Sequence, residues 1–585
     1  MTLYHSHDDH WLAIVVKCTR FEDVQCTAQY APFLSSSSTR QVLTRNIRRR
    51  GVRSLRSHLI FTTGFSFASD HVLHLSVRCH CISAALRRPR TSVSRLKTVC
   101  PQEHEAIDLS RTVHSHGRAK MGDLTFYTVT YNVATRSPKQ PLEDLLQWNG
   151  RTEYQLPDFC LFGFQEIKAQ PQNLLLDSIF DDPWTAALRD VLSGYNYVKI
   201  RTVKMVGLLL NVFCKRKHVP LLKEMESSET RTGLLGLWGN KGAVSFSFKI
   251  YGATICCVNC HFAAHEEYLK HRINDYHTII ESQQFGSSKK TILNHDYVFW
   301  FGDLNFRLDH SKLKSAEEIA SQVNNVNSSL RNAVTLANIW VQDELSSVMQ
   351  NSKAFQGFFE PLPMFPPTYR YIFGSTSYDL KRRPAWTDRI LYRTIDPSNE
   401  TCILEVLSYK FIETIQLSDH RPVYSEANVQ ICSEENFNNV DQPVIFQPIN
   451  TWQLETENEI NLQIKEYIPW ANDWIGVFNE KYTSLDDYLS YVYLPLETIE
   501  REESNDEFRR FDNMTSMCRV KFLPEVFSDG SKRVCLKFSE TMVLNPGSYR
   551  LIYFSSVNNS VLAVSNPFIA TKQTCALNTS HEFGW

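Results

Sequence analysis

DYVFWFGDLNF, residues 296–306, is an apolar and aromatic run that closes on two polar side chains, Asp303 and Asn305. It reads as a buried strand whose last residues leave the sheet, where they can meet others in a cleft. LTFYTVTYNV (124–133), DFCLFGFQEI (158–167), VGLLLNVFCKR (206–216), GAVSFSFKI (242–250), ATICCVNCHF (253–262) and RILYR (389–393) are further runs of this kind, and several also end on a polar or charged residue. From about residue 121 to 432 they alternate with helical or loop segments, the arrangement by which layered α/β enzymes place their chemistry.

A chain of 585 residues has room for two or three domains, since one hydrophobic core seldom serves more than about 250–300 residues. Hydrophobic residues at 43%, aromatics at 12% and charged residues at 21% are those of a globular protein, not a disordered or fibrous one. A formal net charge of -1 argues against a surface built as a whole for nucleic acid. No run of about 18 apolar residues is present, and Met1 opens a His/Asp-rich stretch, so neither a membrane span nor a signal peptide is expected. The 15 cysteines are odd in number and scattered, often within strand-like runs as at Cys256, Cys257 and Cys260, and read as reduced, buried thiols of a cytosolic protein.

The flanks differ from this middle. Residues 1–120 are Arg- and Ser-rich, with SSSSTR, RNIRRR and AALRRPR, and read as a largely unstructured basic extension; Met121 is a sensible start, because LTFYTVTYNV follows at once. Residues 445–571 hold short strands, WIGVF (474–478), RVCLKF (533–538), SYRLIYFS (548–555) and SVLAVSNPF (560–568), between Gly, Asn, Asp and Pro turns. That spacing predicts an antiparallel sandwich, with ETIEREESNDEFRR (497–510) as an exposed loop and 572–585 as a tail.

Asn132 ends the first strand, Glu166 the second, and Asp419 with His420 sits in LSDHRP. One such residue alone is a cap or a turn. Repeated after successive strands, hard oxygen ligands gathered at one sheet edge suit magnesium, which takes one or two carboxylates plus water and substrate phosphate oxygens. Glu166 is the first-choice ligand. Phosphate hydrolysis further needs a group to activate water and donors to neutralise the transition state, roles that Asp303, His261 and His420 fit.

GFQEI, WGNKG (238–242), NCHFAAH (259–265), WFGDLNFR (300–307), PPTYRY (366–371), RRPAWTDRIL (382–391) and SDHRPV (418–423) resemble, in order and over roughly 300 residues, the successive signatures of inositol polyphosphate 5-phosphatases. The resemblance implies a deoxyribonuclease-I-like β-sandwich flanked by helices, with Mg²⁺ held by Glu166 assisted by Asn132. It implies Asp303 polarising the attacking water with Asn305 beside it, His261 and His420 on the scissile phosphate, Asp388 orienting His420, and Asp419 in the same catalytic group. Asn240 and Lys241 are expected to shape the cleft, and Tyr369, Arg370, Lys381 and Arg382 to hold a neighbouring 4-phosphate. The chain departs from the family where YDLKRRPAW (378–386) is shorter than the usual loop, Arg370 replaces a commoner Lys, and Thr387 replaces a frequent Cys, the last read as neutral.

LLGLW (234–238) can dip into lipid or pack in the core. DWIGVFNEKYTSLDDYLSYVYLP (473–495) with GSYRLIYFSSVNNSVLAVSNPF (547–568) looks like the immunoglobulin-like, all-β SKICH domain that follows the phosphatase in the skeletal-muscle-and-kidney-enriched and proline-rich members. The absence of proline-rich flanks leans towards the former. The expectation is therefore a phosphatase domain at 121–432 and a SKICH domain at 445–571. It would act on phosphatidylinositol 4,5-bisphosphate and 3,4,5-trisphosphate and on soluble inositol phosphates, reside in the cytoplasm, reach the plasma membrane or endoplasmic reticulum peripherally, and bind protein partners through the SKICH domain. The competing readings are a metal-dependent nuclease of the same fold and a catalytically weak membrane scaffold.

Overall fold

The computed structural model describes, besides strands within 2–81, residues 123–572 except 139–141, 169–180, 234–237, 310–314, 325–329, 396–401, 432–441, 466, 468–471, 495–517 and 527–529. Residues 1–116 form a unit of their own, with an antiparallel sheet of Thr2–His7, His10–Lys17 and Thr27–Ala31 and a hairpin of Leu59–Phe67 with Leu73–Cys81. These runs are rich in β-branched and aromatic residues; the three-stranded sheet precedes the Arg- and Ser-rich blocks that suggested an unstructured extension, and the hairpin lies between RNIRRR and AALRRPR.

In the second unit, Gly117–Trp585, eleven strands labelled from its start form two sheets. They are β1 (Asp123–Asn132), β2 (Phe159–Gln165), β3 (Tyr197–Met205), β4 (Leu208–Lys215), β5 (Lys223–Gly233), β6 (Trp238–Ile250), β7 (Ala253–His261), β8 (Tyr297–Asp303), β9 (Asp388–Thr394), β10 (Leu404–Phe411) and β11 (Val423–Gln430). One sheet runs β10-β11-β1-β2-β4-β3 and the other β5-β6-β7-β8-β9. Phe126, Phe159, Leu210, Phe246, Cys257, Phe299 and Phe301 belong to the core between them. The outer face of the first sheet packs Tyr131, Phe164 and Phe213 with Trp184 and Leu188 of α1 (Pro183–Ser193). The outer face of the second packs Val258, Cys260 and Trp300 with Tyr276 and Ile279 of α2 (Leu269–Ser282). Strands covered on both faces carry continuous apolar sequence instead of alternation, which is why they were legible as runs. Cys257 and Cys260, although spaced C-x-x-C, fall into the cores on opposite faces of β7 and cannot converge on one ion.

β1 and β2 are parallel, as are β7 and β8, so their carboxyl ends lie side by side: Asn132 opposite Gln165, and His261 opposite Asp303. β9 runs antiparallel to β8 and brings Asp388 opposite Asp303. A row His261–Asp303–Asp388 thus crosses one end of the second sheet.

A second sandwich follows. Val444–Phe446, Asn458–Ile464, Lys532–Phe538 and Cys518–Val526 make one sheet; Thr451–Gln453, Phe568–Thr571, Gly547–Phe554, Trp474–Asn479 and Tyr488–Tyr493 make the other, with Val561–Val564 paired to Gly547–Phe554. Trp452, Leu462, Val477, Leu536, Leu551 and Tyr553 form its core. It is docked on the first sandwich. Lys199 of β3 exchanges backbone hydrogen bonds with Thr483 and Leu485, Val561 N–H donates to Leu222, and Phe478, Tyr482, Leu485, Ile552 and Val561 belong to the same apolar cluster as Val219, Leu222 and Met225. Lys199, 2% exposed, has Asp181 at 2.6 Å and Asp486 at 3.2 Å.

Of the sequence expectations, residues 234–237 of LLGLW, the loop 497–510 and most of the tail (573–585) lie outside the described residues.

Candidate active site

The ends of the two sheets meet over a layer of buried amides. Gln165 Nε2 donates to Asn259 Oδ1 at 2.7 Å and to Thr130 Oγ1 at 3.1 Å, while Asn259 Nδ2 donates to the carbonyls of Leu209 and Phe164. These amides are matched to one another and to backbone carbonyls, which fixes how the sheet ends face each other.

Above this layer Asp303 is the hub. Asn132 Nδ2 donates to its Oδ2 at 2.9 Å and the Asn305 N–H to its Oδ1 at 3.1 Å; His261 Nε2 lies 3.3 Å and His420 Nε2 3.9 Å from Oδ2. Burial opposes ionisation of Asp303, yet hydrogen bonding by His261 and the charges of His420, His261 and Lys241 outweigh it and hold the carboxyl far below the usual range. Lys241 Nζ contacts His261 Nε2, and burial lowers the Lys241 pKa against the opposing pull of Asp303 and Glu166. Glu166 follows β2 with its side chain 44% exposed, its Oε1 3.8 Å from His261 Nε2. Glu166 and Asn305 both have φ of 55°, a left-handed conformation that Asn adopts readily but that is costly for Glu.

Asp388 Oδ2 accepts from Thr368 Oγ1 at 2.6 Å, Thr387 Oγ1 at 2.9 Å and His420 Nδ1 at 2.9 Å. Burial disfavours the His420 imidazolium, but Asp388, Asp303 and Asp419 overcome that and raise its pKa to about 9. Atoms of Asp303, Asp388 and His420 lie within 4.8 Å of one another, close enough to share an ion. Three donors already occupy Asp388, so the trio is better suited to holding a charged imidazole against the Asp303 carboxylate.

Beside the hub a cavity of about 200 Å³ is lined by Ala264, His265, Glu266, Arg307, Tyr369, Arg370, Arg382 and Asp419. The Tyr369 ring lies 4.5 Å from that of His420, and the Arg307 guanidinium 4.5 Å from the Tyr369 ring on its other contact. Arg370 is held by Asp419 at 3.2 Å and Asp379 at 3.4 Å. Lys381 borders the adjoining depression with Leu380, Arg382 and Arg383.

The structure therefore brings Asn132, Glu166, Lys241, His261, Asp303, Asn305, Asp388 and His420 together. It turns Asp419 towards Arg370, leaves Asn240 exposed, and engages Asn132 Oδ1 with the Ala134 N–H at 3.0 Å. Sequence reasoning missed Thr368, Arg307 and the anchoring contact of Thr387, which differs from its neutral reading. Arg307 ends the quoted WFGDLNFR, but nothing in a threonine's identity separates a buried hydroxyl donor from a turn residue.

Two family models match, in order: Endonuclease/Exonuclease/phosphatase family 2 over residues 129–426 and the SKICH domain over 444–522. The chain is 30% identical over 480 residues to inositol polyphosphate 5-phosphatase K of Mus musculus, spanning 79% of this chain and 92% of that protein. It is 32% identical over 387 residues to phosphatidylinositol 4,5-bisphosphate 5-phosphatase A of Rattus norvegicus, spanning 64% of this chain and 37% of that protein. A solved synaptojanin 5-phosphatase domain in complex with inositol (1,4)-bisphosphate and calcium is 31% identical, with a TM-score of 0.45, covering 54% of this chain and 89% of that one.

Proposed function

Because the chain belongs to the inositol polyphosphate 5-phosphatases, with a phosphatase region followed by a SKICH domain, we propose that it removes the 5-phosphate from phosphatidylinositol 4,5-bisphosphate and 3,4,5-trisphosphate. Soluble inositol polyphosphates that share the headgroup are further substrates. The observation that carries this reading is the juxtaposition of the Asp303 hub, flanked by two histidines, with the cavity lined by Arg307, Tyr369, Arg370 and Arg382.

In this reading Asp303, kept ionised by its neighbours, orients the attacking water and takes its proton, with Asn132 and the Asn305 N–H fixing its two oxygens. His420, held protonated by Asp388, donates to the scissile phosphate from one side and His261 with Lys241 from the other. Arg370 and Arg382 receive the adjacent 4-phosphate, Asp419 and Asp379 holding Arg370 in place. The site's donors are oxygens and imidazoles, not thiolates, and fit a hard divalent cation such as Mg²⁺. Glu166, assisted by Asn132, would hold it, and its charge would offset that of the phosphoryl group. The protein is proposed to work in the cytoplasm at membrane surfaces reached through the SKICH domain; no described helix is long and apolar enough to cross a membrane.

The test is turnover of the full chain and of residues 121–585 on a panel of phosphoinositides and inositol phosphates. Release of the 5-phosphate is expected from both forms, abolished by EDTA and by Glu166→Ala. Near-normal turnover in EDTA, or no release from any 5-phosphate, would refute the reading.

A further inference from the structure

Between Tyr371 and Tyr378 the chain makes a short hairpin at the rim of the site. Its base is rigid: the two tyrosine rings stack at 4.4 Å, both hydroxyls donate to the Pro367 carbonyl, and the Arg421 guanidinium lies 4.0 Å over the Tyr371 ring and donates to the Ser375 carbonyl. Its tip is tied as well, with the Ser375 N–H on the Ile372 carbonyl and the Gly374 N–H on that of Gln416. Yet Ile372 is 50% exposed and Phe373 44%, and Leu380, just past the hairpin, is 45% exposed.

Cations flank the tip, alongside Glu413, whose charge acts on Tyr371 and Tyr378. The Arg136 guanidinium lies 4.9 Å from the Phe373 ring, in the loop that leaves β1 directly after Asn132. On the other side the same segment carries Arg370, which lines the cavity, and continues to Lys381 and Arg382, both exposed. Tyr369, three residues before Ile372, touches His420.

We infer that Ile372 and Phe373 form a membrane-inserting tip, which enters the acyl boundary of an anionic bilayer while Arg136, Lys381 and Arg382 meet its headgroups. This rests on the proposed lipid phosphate substrate. Paired exposed apolar residues, with Arg136 against one of them and Lys381 and Arg382 exposed further along the segment, complement an interface that is apolar inside and anionic outside. Insertion beside the cleft would also set the depth at which a headgroup reaches His420.

The decisive variant is Ile372→Ser/Phe373→Ser in the full chain, which touches none of the proposed catalytic or phosphate-binding groups. Two measurements are made: co-sedimentation with phosphatidylcholine vesicles carrying 20–30% phosphatidylserine, roughly the anionic content that gives a negative surface potential, and turnover of soluble inositol 1,4,5-trisphosphate. The expected result is at least a tenfold fall in vesicle partitioning with soluble turnover unchanged, and partitioning retained in Phe373→Trp with Ile372 intact. Unchanged partitioning of the double variant overturns the inference, and so does a wild-type chain that ignores bare vesicles, which would assign the tip to a protein partner. A wild-type chain inert on every 5-phosphate refutes the proposed function instead, while the partitioning result still decides the role of the tip.

Discussion

The hydroxyls of Thr368 and Thr387 donate to the same Asp388 oxygen that receives His420 Nδ1. A carboxylate satisfied by three donors holds one rotamer, and through it one orientation of the imidazole. Thr387→Val removes one donor from a fully buried carboxylate, a cost of about 1–3 kcal/mol. The expected outcome is a roughly tenfold lower kcat with KM little changed, restored by Thr387→Ser; a fall that tracks only lost folded protein would mark a purely structural role. The His420 pKa, raised to about 9, carries a second expectation. A histidine raised on folding adds stability that is complete below its unfolded value, about 6.5, and is lost as pH rises through about 9. Activity that needs the imidazolium should fall over the same upper range, and Asp388→Asn should move that alkaline limb towards neutrality. A pH–rate profile whose alkaline limb stays put in Asp388→Asn would contradict the assignment.

At the scale of the element, the site is a consequence of register. His261, Asp303 and Asp388 are adjacent because β7, β8 and β9 pair without a slip through these residues, and a shift of one would turn every side chain to the other face. Gly302 helps to set this pairing. Its φ is 145°, and a Cβ placed there would sit 2.0 Å from the Cys260 carbonyl oxygen, a backbone atom that cannot step aside. Gly302→Ala should therefore force the β7–β8 ladder apart next to the hub, costing roughly 3 kcal/mol of stability and most of the turnover. Urea melts and initial rates check this, and a variant as stable and active as the parent would show that the ladder tolerates the strain. The strands themselves were legible as apolar runs, but their pairing was not, because β2 and β4 or β7 and β8 are brought together by segments whose length does not encode which neighbour is chosen.

Over the whole molecule, the second sandwich is fixed to the phosphatase region and not merely tethered to it. Besides the shared apolar cluster, Arg189 reaches Asp487 at 2.6 Å and the Arg216 guanidinium lies 4.4 Å over the Tyr482 ring. Each large apolar side chain uncovered by separating the two costs about 1.5–3 kcal/mol, an upper bound, since the unfolded chain is itself partly compact. The 121–432 segment alone should thus melt below 121–585 and regain stability when residues 433–585 are added in trans. Calorimetry of the three samples is the check; equal melting temperatures would show that the two sandwiches are energetically independent. Residues 1–116 form a separate unit.

What the amino-acid sequence determined by itself was the class of fold, the order of its parts and most side chains of the hub. Those follow from local facts: an apolar run long enough for a strand, a polar residue where it stops, and motifs whose order survives in one dimension. Tertiary structure alone decided which atoms meet. Asp303 joins Asn132 across 171 residues, Asp419 faces Arg370, two threonines saturate Asp388, and the second sandwich closes over β3. A residue's type states how many hydrogen bonds it can make, but its partner is chosen by strand register and the packing of the two sheets, a property of the whole chain at once.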